Sequence, residues 1–221
     1  MEWIREFIDL VLHVDKHLDG LILQFGPWFY VLIFLVVFCE TGLVITPFLP
    51  GDSLLFALGA FAARDSLSLS ILLVMLPIAA ILGDMVNYWC GAWLGPKIFR
   101  GESVRFLNKK HLERTHAFYE KHGAKTIVLA RFIPIVRTFA PFVAGMGRMS
   151  YRTFTTYNIL GALLWVGIFV PAGYFFANHP LVQKNFSLVM LAIIVLSILP
   201  AVIEILREWA KSRKAAQRPS N

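Results

Sequence analysis

The chain has 221 residues, of which 57% are hydrophobic and only 16% are charged, and its formal net charge is +7. A soluble domain is usually about half apolar and about one quarter charged, so this composition argues against a soluble globular protein. The basic residues stand beside apolar segments, where they set topology and meet anionic lipid head groups. This distribution argues against nucleic acid as a partner.

Long apolar runs account for the excess of hydrophobic residues. Residues 71–93 and 154–176 are each long enough to cross a bilayer as a helix, which takes about 20 residues. A third run, residues 186–206, is predicted to form a C-terminal transmembrane helix. The first residues of the chain lack the basic region and the small-residue cleavage site of a secretory signal peptide, so we expect an N-terminal helix that is not cleaved.

Two segments are rich in Lys and Arg, namely residues 97–125 and the tail at residues 207–221. Cytoplasmic segments are enriched in these residues, so both are predicted to lie inside, with an even number of crossings between them. Three apolar stretches lie in that interval, and the first, residues 126–147, contains Pro134 and Pro141. We therefore predict that this stretch is a re-entrant hairpin, which enters from the cytoplasm and returns to it.

The N-terminal half gives the mirror argument. Residues 28–63 are interrupted at Pro47, Pro50 and Gly51, and the two arms, Phe29–Cys39 and Ser53–Ala63, have 11 residues each. Such an arm is about 16 Å long as a helix, roughly half of the hydrocarbon thickness. A re-entrant hairpin from the periplasmic side is predicted, and the acidic N-terminus suits that side.

These elements predict an all-α polytopic protein whose residues 1–221 form one membrane domain with an internal inverted repeat. The first repeat is residues 28–95 and the second is residues 126–176, each a hairpin followed by a spanning helix. Inverted repeats with broken segments at matching positions are typical of transporters with a site near the bilayer midplane. Because unwound backbone at that depth must be enclosed by protein or line a water-filled cavity, the two hairpins are expected to face each other.

Residues 97–125, between the repeats, are predicted to form a cytoplasmic amphipathic helix. One set of residues recurs at helical spacing among the Lys and Arg side chains: Val104, Leu107, His111, Thr115, Phe118 and Tyr119. The histidines of this segment lack a metal-binding spacing, and the cysteines Cys39 and Cys90 form no CxxC motif. We therefore expect no metal and no cofactor, and we expect both thiols to be buried and free.

Ionisable residues interrupt the apolar segments: Glu40, Asp52, Asp84, Arg131 and Arg137. A charge at the bilayer centre costs about 2.5–3.5 kcal/mol on insertion scales, so such side chains should face inward, pair or be neutralised. Arg131 and Arg137 offer planar forks of donors suited to a phosphate group. Glu40 and Asp52 are candidates for proton uptake, because desolvation favours the protonated carboxyl. Asp84 is a possible further site residue.

Two structural interpretations compete with these roles. In the first, acid–arginine pairs only clamp the hairpins together. In the second, Arg131 extends its side chain to the cytoplasmic surface and leaves the membrane interior altogether. The sequence also leaves open whether Asp84 belongs to the site.

Several short strings resemble one known family. They are FCETG at residues 38–42, PFLPGDSLL at 47–55, ARFIPIVRT at 130–138, GMG at 145–147 and NILG at 158–161. Together they are similar to the DedA family, part of the VTT-domain or SNARE-associated Golgi protein superfamily, over residues 26–204. The combined pattern is specific, although no single string is.

The resemblance implies a multi-pass bacterial inner-membrane protein with two re-entrant hairpins, related to eukaryotic lipid scramblases. It further implies that the essential acidic pair of the family falls on Glu40 and Asp52, and its essential arginines on Arg131 and Arg137. Some members of the family are understood to return undecaprenyl phosphate across the membrane, and others are linked to the proton-motive force.

The leading hypothesis is a flippase for polyprenyl phosphate or a similar anionic lipid, coupled to protons. A proton/cation antiporter would use the same acidic residues. An intramembrane enzyme would need a nucleophile–base pair or a metal-bound water, and no HExxH, GxSG or GxGD string occurs, so no enzyme is expected. A passive structural or chaperone-like protein would tolerate conservative substitutions of these residues. A homo-oligomer is compatible with the sequence.

Overall fold

A computed structural model describes residues 24–43, 51–99 and 122–180, together with the single positions 20, 22, 119, 182, 189 and 192. Every regular element in these ranges is helical, which confirms the predicted all-α class for this part of the chain. The elements are α1 (Trp28–Gly42), α2 (Gly51–Ala62), α3 (Leu69–Phe99), a 3-10 turn (Gly123–Lys125), α4 (Thr126–Ala130), α5 (Pro134–Met146) and α6 (Tyr151–Ala177).

The two long helices, α3 and α6, lie where the sequence predicts spanning segments, with slightly wider bounds. Each contains an apolar stretch of 27 residues, Leu69–Gly95 and Tyr151–Ala177. A helix of that length spans about 40 Å, more than the roughly 30 Å of a hydrocarbon core. Their outward faces expose large apolar side chains such as Val74, Leu163 and Ile168, which suit contact with lipid. Both helices are long and apolar enough to cross a membrane.

The chain is broken between α4 and α5, over residues 131–133. Ile133 is extended, with φ −119° and ψ 107°, and Pro134 occupies the first turn of α5. A proline forces the preceding residue out of the helical region, yet is well tolerated at a helix start, where its missing N–H is not needed. The predicted break at Pro134 is therefore present. Of the first hairpin's break residues, Gly51 begins α2, whereas Pro47 and Pro50 lie outside the described residues.

Pro141 was predicted to break the second hairpin, and this prediction is wrong. It lies inside α5, which continues to Met146. An interior proline removes one helical hydrogen bond, here the one to the carbonyl of Arg137, and crowds that carbonyl. The helix continues because almost every side chain around Pro141 is buried and α5 packs along α3, so tertiary packing outweighs the local penalty.

Helix α1 lies against α3 and runs in the same direction. The backbone N–H of Ser68, just before α3, donates to Tyr30 Oη at 2.8 Å. At the other end of α1, a Cβ built on Gly42 would lie 3.3 Å from the carbonyl oxygen of Gly83. Gly83 is about 21 Å along α3 from Leu69. The end of α1 therefore lies beside the middle of α3.

Helix α4 has the corresponding position against α6. Ile127 at its start packs in one cluster with Phe154, near the start of α6. A Cβ built on Gly161 would lie 3.3 Å from the Cα of Val128. The middle of α4 therefore lies beside a point about 15 Å along α6, well short of its far end.

The arm that follows each break packs on the long helix of the other half. Helix α2 crosses α6, and α5 crosses α3. At the first crossing, a Cβ built on Gly173 would lie 2.0 Å from the carbonyl oxygen of Phe56. At the second, a Cβ built on Gly91 would lie 2.0 Å from the carbonyl oxygen of Phe142. Both crossings bring backbone against backbone, and small residues at the contact make this possible.

Alanine at Gly173 is expected to destabilise the protein by about 2 kcal/mol, because the added methyl would push α2 away from α6. Gly167 on the same helix provides the matched control, since a Cβ built there meets nothing within 4 Å. Gly167→Ala should be neutral or slightly stabilising, because alanine favours the helix. The thermal midpoints of both purified variants in detergent test this, and equal midpoints would contradict the close crossing.

The largest core cluster lies between α1, α2, α3 and α6, and includes Leu72, Leu76 and Val170.

Cys39 and Cys90 are free thiols, but both are exposed, so the expectation that they are buried is wrong. Both faces of these helices are apolar, so hydrophobicity alone does not distinguish the face that packs on protein from the face that is turned outward.

Other predicted segments lie largely outside the described residues: the N-terminal helix, most of the amphipathic helix at 97–125, nearly all of the C-terminal helix at 186–206 and the whole tail at 207–221. The first residues of the predicted amphipathic segment belong to α3, which runs to Phe99. Tyr119, within the same segment, donates its hydroxyl to the carbonyl of Ala140 in α5 at 2.9 Å.

Candidate functional site

Five ionisable side chains meet where the broken helices end against the long ones. Each comes from a different position relative to a break: Glu40 in the last turn of α1, Asp52 in the first turn of α2, Asp84 in the middle of α3, Arg131 directly after α4 and Arg137 in the first turn of α5. The chain brings all five predicted charged site residues into one cluster, as two acid–arginine groups.

Arg137 holds the first group together. Its Nη2 donates to Glu40 Oε1, and its Nη1 donates to Asp52 Oδ1 at 2.9 Å. The Glu40 side chain is 1% exposed and that of Arg137 is 11% exposed, whereas that of Asp52 is 36% exposed. One guanidinium therefore bridges the arms on both sides of the first break, and Asp52 forms the open edge of the group.

The carboxylate of Glu40 also packs against the start of α2. It accepts a hydrogen bond from the backbone N–H of Gly51. A Cβ built on Gly51 would overlap the carboxylate of Glu40, so a larger residue here would force the Glu40 side chain to move. Free backbone N–H groups at a helix start favour an anion, and here Glu40 supplies it.

Arg131 holds the second group and is almost completely buried. Its Nη2 donates to Asp84 Oδ2 and, at 2.5 Å, to Asn158 Oδ1, while Asn158 Nδ2 donates to the carbonyl of Ile81 at 3.1 Å. The Arg131 and Asp84 side chains are each 6% exposed. The alternative in which Arg131 reaches the cytoplasmic surface is therefore wrong. Asp84 also lies inside the cluster, as the partner of Arg131.

Trp165 of α6 joins the two groups. Its Nε1 donates to Asp52 Oδ1 at 2.7 Å. The Cζ atoms of Arg131 and Arg137 lie 5.9 Å and 5.6 Å from its ring centroid, within the range of a cation–π contact. A cavity of about 10 Å³, room for about one water molecule, separates the two groups and touches Glu40, Asp84 and both arginines.

Asn87 of α3 links the two broken segments by hydrogen bonds close to their breaks. Its Nδ2 donates to the carbonyl oxygens of Thr41 at 3.2 Å and of Thr138 at 2.8 Å. The Oδ1 atom of Asn87 and the Nε atom of Arg131 are buried without a hydrogen-bond partner among the described residues. Of these two residues, Arg131 also lines the small cavity.

The sequence interpretation missed Asn87, Asn158 and Trp165 as site residues. Both asparagines interrupt apolar helices, and the rule that drew attention to Asp84 applies to amides as well as to charges, since an unpaired amide in lipid is also costly. Trp165 gives no such signal, because aromatic residues are ordinary in a membrane helix.

The cluster can hold an added anion only if its own carboxylates move aside or become protonated. Three carboxylates face two guanidinium groups, so the five groups carry a formal charge of −1 when all are ionised. Guanidinium N–H groups bind carboxylate and phosphate with the same fork geometry. A phosphate group at this place would therefore have to compete with Glu40 and Asp52 for Arg137, and protonation of these acids would favour the phosphate.

Comparison with known proteins gives one consistent result. Residues 49–175 match the family model of the VTT domain. The chain is 54% identical to the protein DedA of Escherichia coli K12 over 219 residues, which cover 98% of this chain and 100% of that protein.

Two further relatives carry membrane names. The chain is 42% identical over 168 residues to an uncharacterized membrane protein of Mycobacterium leprae, covering 76% of this chain and 75% of that protein. It is 34% identical over 155 residues to the inner membrane protein YqjA of Escherichia coli K12, covering 70% of each chain. No solved structure gives a significant match.

Proposed function

The chain belongs to the DedA family of VTT-domain membrane proteins, and on that premise we propose that it moves an anionic phospholipid across the membrane, with undecaprenyl phosphate as the leading substrate. One observation carries the proposal: two guanidinium groups, one buried and one mostly buried, lie where two broken helices meet. Arg131 pairs with one carboxylate and Arg137 with two, all from the other half of the chain. Buried charges of this kind inside a membrane segment are costly and are typical of transport pathways.

The proposal treats the two broken segments as re-entrant hairpins in an inverted repeat. The parallel course of α1 with α3, ending near the middle of α3, supports a first hairpin that dips halfway. The matching course of α4 with α6 supports the second. The second arm of each broken segment packs on the long helix of the other half, α2 on α6 and α5 on α3. This is the contact pattern expected of a pseudo-twofold arrangement. The charged cluster then lies near the midplane.

In this proposal the phosphate group binds to Arg137 and Arg131 while the lipid tail stays in the membrane. Arg137 is the nearer of the two to the open edge at Asp52, and its two Nη atoms already hold one oxygen from each of two carboxylates. A phosphate group supplies oxygens for the same two donors. Arg131 lies deeper, and its positive charge offsets the second negative charge of a phosphate monoester.

The charge count supports proton coupling. Adding a phosphate to a cluster that is already at −1 is unfavourable unless Glu40 or Asp52 takes up a proton. Moving one elementary charge across 100 mV involves about 2.3 kcal/mol, so neutralisation by protons and arginines lowers the barrier to crossing. Protons are therefore the proposed coupling ion, and we propose transport without enzymatic chemistry.

A proton/cation antiporter is the second candidate, and the excess of one carboxylate in the cluster favours it. A negatively charged buried group attracts a proton or a metal cation without any lipid. The arginines would then only modulate the carboxylates, so ion exchange should partly survive their removal.

We propose the inner membrane of a bacterium as the location, with the C-terminal tail in the cytoplasm. The basic residues at 97–125 and 207–221 support this orientation, since cytoplasmic loops are enriched in Lys and Arg.

The test measures transbilayer movement of a labelled polyprenyl phosphate in proteoliposomes, with and without a pH gradient. The wild-type chain should move the lipid faster than empty liposomes do, and the double variant Arg131→Ala/Arg137→Ala should not. Wild-type movement no faster than in empty liposomes, under either condition, would remove this lipid as the substrate. Ion exchange that survives in the double variant would favour the antiporter.

A further inference from the structure

A single oxygen position at the open edge of the cluster has two donors aimed at it. Asp52 Oδ1 accepts a hydrogen bond from Arg137 Nη1 at 2.9 Å and another from Trp165 Nε1 at 2.7 Å. The donors come from α5 and α6, whereas the acceptor comes from α2. Two N–H groups that converge on one anionic oxygen form an oxyanion site, whatever group supplies the oxygen.

The indole is held in place for this role. The Trp165 side chain is 2% exposed in α6, and its ring lies under the guanidinium groups of both arginines. A rigid, buried donor loses little conformational entropy on binding and therefore contributes fully to an incoming anion. Its acceptor is the most exposed acid of the three in the cluster, and so the one that an anion from outside can replace most readily.

We propose that Trp165 is a ligand of the anionic head group and that Asp52 occupies its site in the ligand-free protein. A phosphate oxygen takes the position of Asp52 Oδ1, between Nη1 of Arg137 and Nε1 of Trp165, once the Asp52 carboxyl turns away. The inference rests on the proposed function and adds a head-group ligand that is not a charged residue. Asp52 then acts as an intramolecular competitor of the substrate.

The competing explanation is that Trp165 only positions Asp52, and a double-mutant cycle distinguishes the two. Trp165→Phe keeps the aromatic ring but removes the indole N–H. In the wild-type background, the substitution removes a hydrogen bond to Asp52 from the free protein and a hydrogen bond to phosphate from the complex. The free and bound states are both destabilised, so the net effect on affinity is small. In an Asp52→Ala background only the complex loses it. A head-group ligand therefore shows its full effect when Asp52 is absent.

The experiment measures equilibrium binding of radiolabelled farnesyl phosphate to the purified full-length chain in detergent. Asp52→Ala should bind more tightly than wild type, because the competitor is gone. Adding Trp165→Phe should then weaken binding about tenfold, the size expected for one hydrogen bond to a charged group. Trp28→Phe, at a tryptophan that is 72% exposed, is the matched control and should bind like wild type.

Each outcome has a distinct meaning. If Trp165→Phe has no effect in the Asp52→Ala background while Arg137→Ala abolishes binding, the inference about Trp165 is wrong and the proposed function stands. If neither wild type nor Asp52→Ala binds farnesyl phosphate, the proposed function fails with it. Inorganic phosphate serves as the second ligand: equal affinity for it would overturn a lipid head group as the natural occupant.

A measurement on the wild-type chain covers the case in which Trp165→Phe does not fold. In a chain labelled with ¹⁵N at the indoles, the Trp165 signal is the one that Asp52→Ala displaces, because Asp52 accepts its hydrogen bond. Farnesyl phosphate should shift that same signal in the wild-type chain. A signal that stays in place at saturating ligand would overturn the inference.

Discussion

Arg137→Lys is expected to reduce the movement of labelled polyprenyl phosphate at least about tenfold, although the positive charge is retained. Arg137 uses two different nitrogens, Nη2 for Glu40 and Nη1 for Asp52. Lysine has a single nitrogen on a flexible stem and cannot offer the planar fork to two oxygens at once. Losing one charge-assisted hydrogen bond of about 1.5–3 kcal/mol corresponds to a factor of ten or more.

Arg152→Lys is the matched control for this substitution, because Arg152 is an exposed arginine on α6. It should leave both movement of the lipid and the thermal midpoint unchanged. Wild-type rates for Arg137→Lys in proteoliposomes would mean that only charge matters at this position. That outcome would favour a structural role for the Arg137 side chain, since packing and charge-pairing roles often tolerate conservative substitutions.

The charged residues of the site could be predicted from the sequence because their physical signal is strong. Glu40, Asp52, Asp84, Arg131 and Arg137 stand in segments where lipid penalises any unpaired charge. Hydropathy and the distribution of Lys and Arg also predicted the two long helices and the break at Pro134. These signals depend on composition along the chain and need no knowledge of tertiary contacts.

The pairing inside the cluster could not be predicted in this way. Arg137 pairs with two acids more than 80 residues earlier in the chain, and Arg131 pairs with Asp84 from a third helix. Which acid meets which arginine depends on the packing of α2 on α6 and of α5 on α3. Helix crossings of this kind depend on backbone contact at a few glycines and leave little trace in hydropathy.

The two wrong predictions have the same cause. Pro141 breaks an isolated helix, but in α5 the burial of neighbouring side chains outweighs the lost hydrogen bond. Cys39 and Cys90 look like core residues by their apolar surroundings, but in a membrane helix the outward face is apolar too. In both cases local sequence rules were applied where the solvent is lipid and tertiary packing decides.

Asp84→Leu is expected to destabilise the protein by about 3–5 kcal/mol, because it leaves the buried guanidinium of Arg131 with no carboxylate partner among the described residues, beside the neutral side chains of Asn158 and Trp165. Adding Arg131→Met should recover most of that loss, since the unpaired charge is removed as well. The thermal midpoints of the two purified variants in detergent test both expectations.

The double variant Asp84→Leu/Arg131→Met also separates the two possible roles of Arg131. If Arg131 only clamps α3 to the second broken segment, the double variant should still move labelled polyprenyl phosphate in proteoliposomes. If Arg131 binds the phosphate, the double variant should be folded and inactive, and this is the result that we expect.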